Sequence, residues 1–402
     1  MAMSYFGNRV SRPTPSVPQA DHHTDARYFG RLMRTATGIH AVLLIVLFGM
    51  FMVTGWNQQL RDQLILMLPT LDVGSSWHPL LVAAYVTTIY WGTRILVFPI
   101  AIFRGFLMPR KFRLSTRRFT SWLRDATVGT VLAYGILLAT FELMYSLTSL
   151  SPLYWWLVLA RIASLTSVLL MYLVPVIVLP LYFRTRPITD PAVQYRIEQL
   201  LNQSGHKSIS VLTIDQSTKS RVANAMFMGA GRTRRVVITD TLLSEFSQDE
   251  LGVVVAHELG HLEHRDLLWL TASEVAMLTA CLGLSNLLLP TLIGVTKSGA
   301  GMSDVATMPL VLALFAALSL VLLPIRNAFS RHIEHRADEY ALELTGDSAA
   351  FSQAMKRLAA QNLAVETPSR CAEILFHDHP SISSRIRFAE YWQTARRHTT
   401  DR

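Results

Sequence analysis

Between Val255 and His264 the chain contains the run His257-Glu258-Leu259-Gly260-His261. Two imidazoles four residues apart on a helix project from one face, one turn above the other, and can share a metal ion. Zinc is the ion this pattern suits, and the intervening Glu258 then stands beside it, placed to take a proton from an attacking water. His264 falls one position off that face and reads as a helix C-terminal cation. A catalytic zinc normally has three protein ligands and an open position for water, so one ligand must come from elsewhere. Glu334 and Asp338 lie at i and i+4, so one can bind the metal while the other hydrogen-bonds a ligand histidine. They could equally be solvated carboxylates paired with Arg331 and Arg336. Spacing alone leaves both readings open.

A helix must present these histidines. Ser247-Gln248-Asp249-Glu250 has the form of a capping box, which predicts a start at Gln248 and a run to about residue 263. Asp249, Glu250, Glu263, His264 and Arg265 keep this helix out of a bilayer core. Around it, residues 190–203 carry Val193, Ile197, Leu200 and Leu201 on one helical face. Residues 208–214 alternate as a short strand, and 222–228 with 235–239 flank Gly229-Ala230-Gly231-Arg232 as a hairpin. The stretch from Asn327 predicts a helix ending at Gly346. Further helices are expected over about 348–362 and 381–395.

The remainder of the chain is a different solvent problem. Of 402 residues, 51% are hydrophobic and only 16% charged, against about 25% charged in an ordinary soluble domain. Apolar runs account for the difference: about 36–56, 78–103, 126–148, 153–182, 267–295 and 306–327. Each reaches the roughly 20 residues that cross a bilayer. Arg94, Glu142, Arg161 and Glu274 lie within these runs, where ions normally face a bundle interior or a watery cavity. Pro290 predicts a bend in the fifth.

The net charge of +9 follows membrane orientation. Arg9, Arg12, Arg27, Arg31 and Arg34 precede the first run, and Arg104, Arg110, Lys111, Arg113, Arg117, Arg118 and Arg124 follow the second. Arg61 is alone in 57–77. Such alternation puts the N-terminus and both large polar regions in the cytoplasm and argues against nucleic-acid binding. Cys281 and Cys371 cannot make a disulfide framework. The expected division is a flexible tail (1–30), a four-span membrane region (31–182), the first part of the catalytic region (183–265), a two-span hairpin (266–327) and the second part (328–402). No cleavable signal peptide precedes the first run.

Ser330-Arg331-His332-Ile333-Glu334-His335-Arg336-Ala337-Asp338 resembles the Ser-Arg-x-x-Glu-x-x-Ala-Asp motif of the CAAX prenyl protease type 1 family of membrane zinc metallopeptidases. Similar matches follow: Ile214-Asp215-Gln216-Ser217, Asn224-Ala225-Met226-Phe227-Met228-Gly229, and Val236 through Leu243. His379-Pro380-Ser381 with Arg385-Ile386 resembles the C-terminal His-Pro motif, and Phe112 through Thr116 with Asp125 resembles the second cytoplasmic loop. The resemblance covers most of 78–390. The chain departs from the family in reading as six spans where eukaryotic members have seven. His335 stands where an aromatic residue is common, and the basic, serine-rich run before Asn224 is short.

The resemblance implies a mainly α-helical polytopic membrane protein whose cytoplasm-facing zincin-type protease domain contains a small β-hairpin or sheet. It implies one Zn2+ per chain on His257, His261 and Glu334, with Asp338 supporting a ligand histidine. Glu258 would be the general base, His379 and Arg385 the oxyanion donors, and Asn224 a binder of the substrate backbone. The expected partners are the bilayer and a peptide or protein substrate, prenylated or membrane-associated. Two alternatives stand beside it: a quality-control membrane protease of the heat-shock HtpX type, and an inactive membrane scaffold.

Overall fold

The apolar runs become long helices. In the computed structural model, which describes residues 19–67 and 79–400, six helices are long and apolar enough to cross a membrane. The chain begins with α1 (Gln19–Val53) and α2 (Trp56–Met67), followed by α3 (Pro79–Lys111), α4 (Phe119–Leu150) and α5 (Trp155–Tyr182). Residues 19–30, expected within a flexible tail, are helical, and α2 fills part of an expected loop. Arg9, Arg12 and the rest of the tail before residue 19 lie outside the described residues.

These helices pack through Tyr85, Tyr145, Trp155, Leu289 and Met308, all fully or nearly fully buried. At one end the buried Asn57 amide donates to the carbonyls of Ser298 (2.6 Å) and Ala306 (2.9 Å). Arg61 pairs there with Asp304. Such bonds satisfy backbone groups where the chain turns between spans. Two of the intramembrane charges find partners: Arg94 donates to Thr130 (2.8 Å), and Glu274 pairs with Arg326 (2.5 Å).

The polar domain follows as β1 (Thr185–Pro187), α6 (Pro191–Gln203), β2 (Ser210–Ile214), β3 (Ala225–Met228), β4 (Arg235–Thr239), α7 (Asp240–Glu245) and α8 (Gln248–Glu263). The sheet order is β1-β2-β4-β3. The hairpin forms as expected, β3 antiparallel to β4 with Phe227 opposite Val236. Sequence did not foresee β1 or the parallel pairing of β2 with β4. Val236, Val237 and Ile238 of β4 are wholly buried, as a central strand covered on both faces requires. β3 is left at the edge.

The chain then re-enters the spans with α9 (Asp266–Thr296) and returns on α10 (Met308–Thr345). It ends with α11 (Ser348–Asn362), α12 (Arg370–Phe376) and α13 (Ile382–Thr400). One continuous helix, α10, joins the apolar run to the stretch after Asn327, and Gly346 closes it with a left-handed φ of 67°. This is the conformation a glycine cap supplies without side-chain strain.

Candidate active site

Helix α8 starts where its capping box predicts: Glu250 N–H donates to Ser247 Oγ (3.3 Å), and Glu250 accepts from Ser247 N–H (2.7 Å). It is buried on nearly every side, so its polar groups need partners within the protein. Helix α10 crosses it unusually closely. A β-carbon on Gly260 would stand 3.0 Å from Ala337 Cα. That approach brings Glu334, one turn before Ala337 on α10, level with the two histidines.

The geometry converges on one point. His257 Nδ1 lies 2.9 Å from Asp338 Oδ1, and His261 Nδ1 lies 2.9 Å from Asp266 Oδ2. Both rings are thereby fixed with Nε2 facing Glu334, at 3.4 Å from Oε2 and 3.6 Å from Oε1 respectively. One ligand atom from each residue lies within 4.8 Å of the other two. Glu334 Oε2 is buried and accepts no hydrogen bond among the described residues. Tetrahedral zinc with bonds of about 2.0–2.2 Å needs donor atoms about 3.4 Å apart. The three side chains fit such an ion.

The electrostatics agree. Burial alone would lower the His257 imidazole, but hydrogen bonds to Asp338 and Glu334 outweigh it and hold the ring well above the ordinary histidine range. A carboxylate cluster that stabilises a proton this strongly also stabilises a metal cation in its place. His379 approaches from the loop after α12, its Nε2 3.3 Å from Glu334 Oε1 and its Nδ1 2.8 Å from Asp378. The hydrogen bond to Asp378 raises His379 against burial and depresses Asp378 to about 2. Arg331 anchors that loop through the carbonyls of Glu373 (3.0 Å) and His377 (2.7 Å).

Glu258 has its own fixture. Phe227 N–H, on the outward edge of β3, donates to Glu258 Oε2 at 2.6 Å. Asn224 is exposed at the start of that strand, its backbone carbonyl paired with Thr239 N–H (3.0 Å).

Arg385 lies on Asp338. Read from sequence as an oxyanion donor, it is buried, with Nε 2.8 Å and Nη2 2.5 Å from the Asp338 oxygens. Nη2 also reaches within 3.4 Å of His257 Nδ1. Two of its nitrogens are thereby committed to the Asp338 carboxylate, a charge-assisted bidentate pair.

Sequence reasoning missed Asp266, Asp378 and the Phe227 amide. Asp378 could have been suspected from its place beside His379. Asp266 is brought back onto His261 by a left-handed turn at Arg265 (φ 56°), which no glycine announces.

Comparison with known proteins adds the lineage. Residues 187–393 match the sequence model of Peptidase family M48. Residues 15–184 match the model described as CAAX prenyl protease N-terminal, five membrane helices, and the described part of that stretch holds α1 to α5. An uncharacterized metalloprotease of Bacillus subtilis, YhfN, is 28% identical over 73% of this chain and 70% of its own length. CAAX prenyl protease 1 of Saccharomyces cerevisiae is 23% identical over 73% of this chain and 68% of its own. The crystal structure of S. mikatae Ste24p shares the fold, with a TM-score of 0.79 at 20% identity over 95% of this chain and 93% of that one. Protease HtpX of Stutzerimonas stutzeri, 28% identical, aligns with 50% of this chain and 75% of its own length. Spans, fold and matched peptidase region together establish that the chain belongs to peptidase family M48, as a multi-pass membrane metalloprotease.

Proposed function

We propose that this protein is a zinc-dependent endopeptidase holding one zinc ion on His257, His261 and Glu334. The observation that carries this reading is the convergence of two fixed Nε2 atoms on one buried carboxylate, at 3.4 and 3.6 Å. When bound, zinc supplies Lewis acidity toward the scissile carbonyl and makes the attacking water more acidic. Glu258 is the general base. Phe227 N–H holds one of its oxygens, leaving the other to take the water's proton and pass it to the leaving amine. His379, whose imidazole the hydrogen bond to Asp378 shifts toward the protonated form, donates to the oxyanion of the tetrahedral intermediate. Asp338 with Arg385 orients His257, and Asp266 orients His261. The peptide lies along the free edge of β3, with Asn224 binding its backbone.

The substrate we propose is the C-terminal segment of a prenylated or otherwise membrane-held protein. Similarity to proteins named CAAX prenyl protease 1 extends over most of the chain, whereas that to HtpX proteins covers half. The basic residues flanking the first two spans favour a cytoplasmic active site. On this reading 183–265 and 328–402 form one catalytic domain, interrupted by the membrane hairpin 266–327.

The test is cleavage in detergent of a farnesylated CAAX peptide and its unprenylated twin, with and without a zinc chelator and with Glu258→Gln as control. Chelator-sensitive cleavage of the prenylated peptide alone is the expected result, with Glu258→Gln inactive but still folded. Equal cleavage of both peptides would favour the HtpX-like reading. Wild-type turnover by Glu258→Gln would remove the general base.

A further inference from the structure

The free edge leading into β3 is much shorter than the stretch 221–228 that carries it. Along an edge strand, every second residue turns both its N–H and its C=O outward, where an added peptide would pair. Thr239 N–H bonds to Asn224 C=O on the inner side, so the outward residues are Arg221, Ala223, Ala225 and Phe227. Most of their groups are already taken. Arg221 N–H donates to Leu114 C=O (2.9 Å), and Arg221 C=O accepts from Gln361 Nε2 (2.9 Å). Ala223 N–H donates to Asn362 Oδ1 (2.9 Å), and Asn362 Nδ2 donates back to Ala223 C=O (2.9 Å). Phe227 N–H belongs to Glu258. Among the described residues, only Ala225 offers both groups unpaired.

Asn362 thus does what a residue of a fifth strand would do. Its primary amide returns both hydrogen bonds to Ala223, with the donor and acceptor of a peptide group. Its position is set by α11, which it ends, with Leu363 turning away in a left-handed conformation (φ 48°).

We propose that Asn362 is a specificity-determining residue that closes the strand-pairing edge at Ala223. This rests on the peptidase reading above. A peptide added antiparallel to β3 runs with its C-terminal side toward Ala223 and passes Glu258 at the level of Phe227. It pairs at Ala225 and must leave the strand before Ala223. Residues farther toward its C-terminus gain no backbone hydrogen bonds. The class of substrate this favours is a peptide cleaved near its C-terminus, whose short leaving segment needs no more strand than Ala225 provides.

The experiment uses the full chain in detergent and peptides sharing one cleavage site, with successively longer segments beyond it. In the wild type, kcat/KM is expected to level off once the segment reaches the position facing Ala223. In Asn362→Leu the Ala223 groups are orphaned, and a longer peptide can satisfy them. Its kcat/KM should then climb with length, by about five-fold for each hydrogen bond regained. Damage to the fold would lower all lengths together, so a length profile parallel to the wild type overturns the proposal. A second arm needs only the wild type: N-methylation of the peptide nitrogen facing Ala223 should leave cleavage unchanged, and a marked loss overturns the proposal. If the wild type cleaves no member of the series, the peptidase reading itself falls, and this inference with it.

Discussion

Each imidazole at the site carries a carboxylate on its far nitrogen: Asp338 behind His257, Asp266 behind His261 and Asp378 behind His379. Such a partner fixes the tautomer and raises the basicity of the opposite nitrogen, which on His257 and His261 would face a bound metal. Asp266→Ala should therefore weaken zinc binding by about 10–100-fold, read by competition with a chromogenic chelator. An unchanged affinity would remove Asp266 from the site. His379 gives a pH signature. The hydrogen bond to Asp378 raises it above the ordinary histidine value, so the donating imidazolium is lost as pH climbs through the raised value. Asp378→Asn takes away the cause. The alkaline limb of kcat/KM should move to lower pH in that variant; a limb that stays in place would show that His379 does not limit activity there.

Between α8 and α10, spacing decides whether Glu334 can reach the histidines. A methyl on Gly260 would meet Ala337 Cα at 3.0 Å and its carbonyl oxygen at 3.2 Å, and backbone atoms cannot swing aside. In an isolated helix, glycine to alanine stabilises by about 1 kcal/mol. Gly260→Ala should instead part the two helices, lowering zinc affinity and cleavage by at least about ten-fold, one pKa-sized step of 1.4 kcal/mol. Wild-type zinc content and activity in that variant would contradict the close crossing. Elements announced by local chemistry were legible beforehand: α8 from Ser247 and Glu250, α10's end from Gly346, the β3–β4 hairpin from its glycines. The continuity of α10 was not, because its apolar face gives way to charges at Arg326 as the helix leaves the hydrophobic layer. Nor was the parallel β2–β4 pairing, which depends on a long connection. Asn362 and Asp266 gave no signal, since each acts through backbone turns at Leu363 and Arg265, residue types that seldom adopt a left-handed φ.

For the molecule as a whole, the site is built across the boundary between membrane and polar domain. Asp266 is the first residue of α9, and Glu334 lies on α10 beyond its apolar part. The two-span hairpin therefore delivers a partner for one histidine and the carboxylate between both. The peptidase region is thus interrupted in sequence by a pair of spans: α9 packs against α5 and against α10, and α10 in turn crosses α8 to bring Glu334 to the histidines. The membrane spans were readable from composition, but their coupling to the site was visible only once the helices were placed. The most direct test of the zinc centre is metal content per chain, measured by elemental analysis on purified wild type, Glu258→Gln and Glu334→Ala. One zinc in the first two and a clear deficit in the third is the predicted result. Wild-type zinc in Glu334→Ala would contradict the assignment of Glu334 as the third ligand, and with it the centre described here.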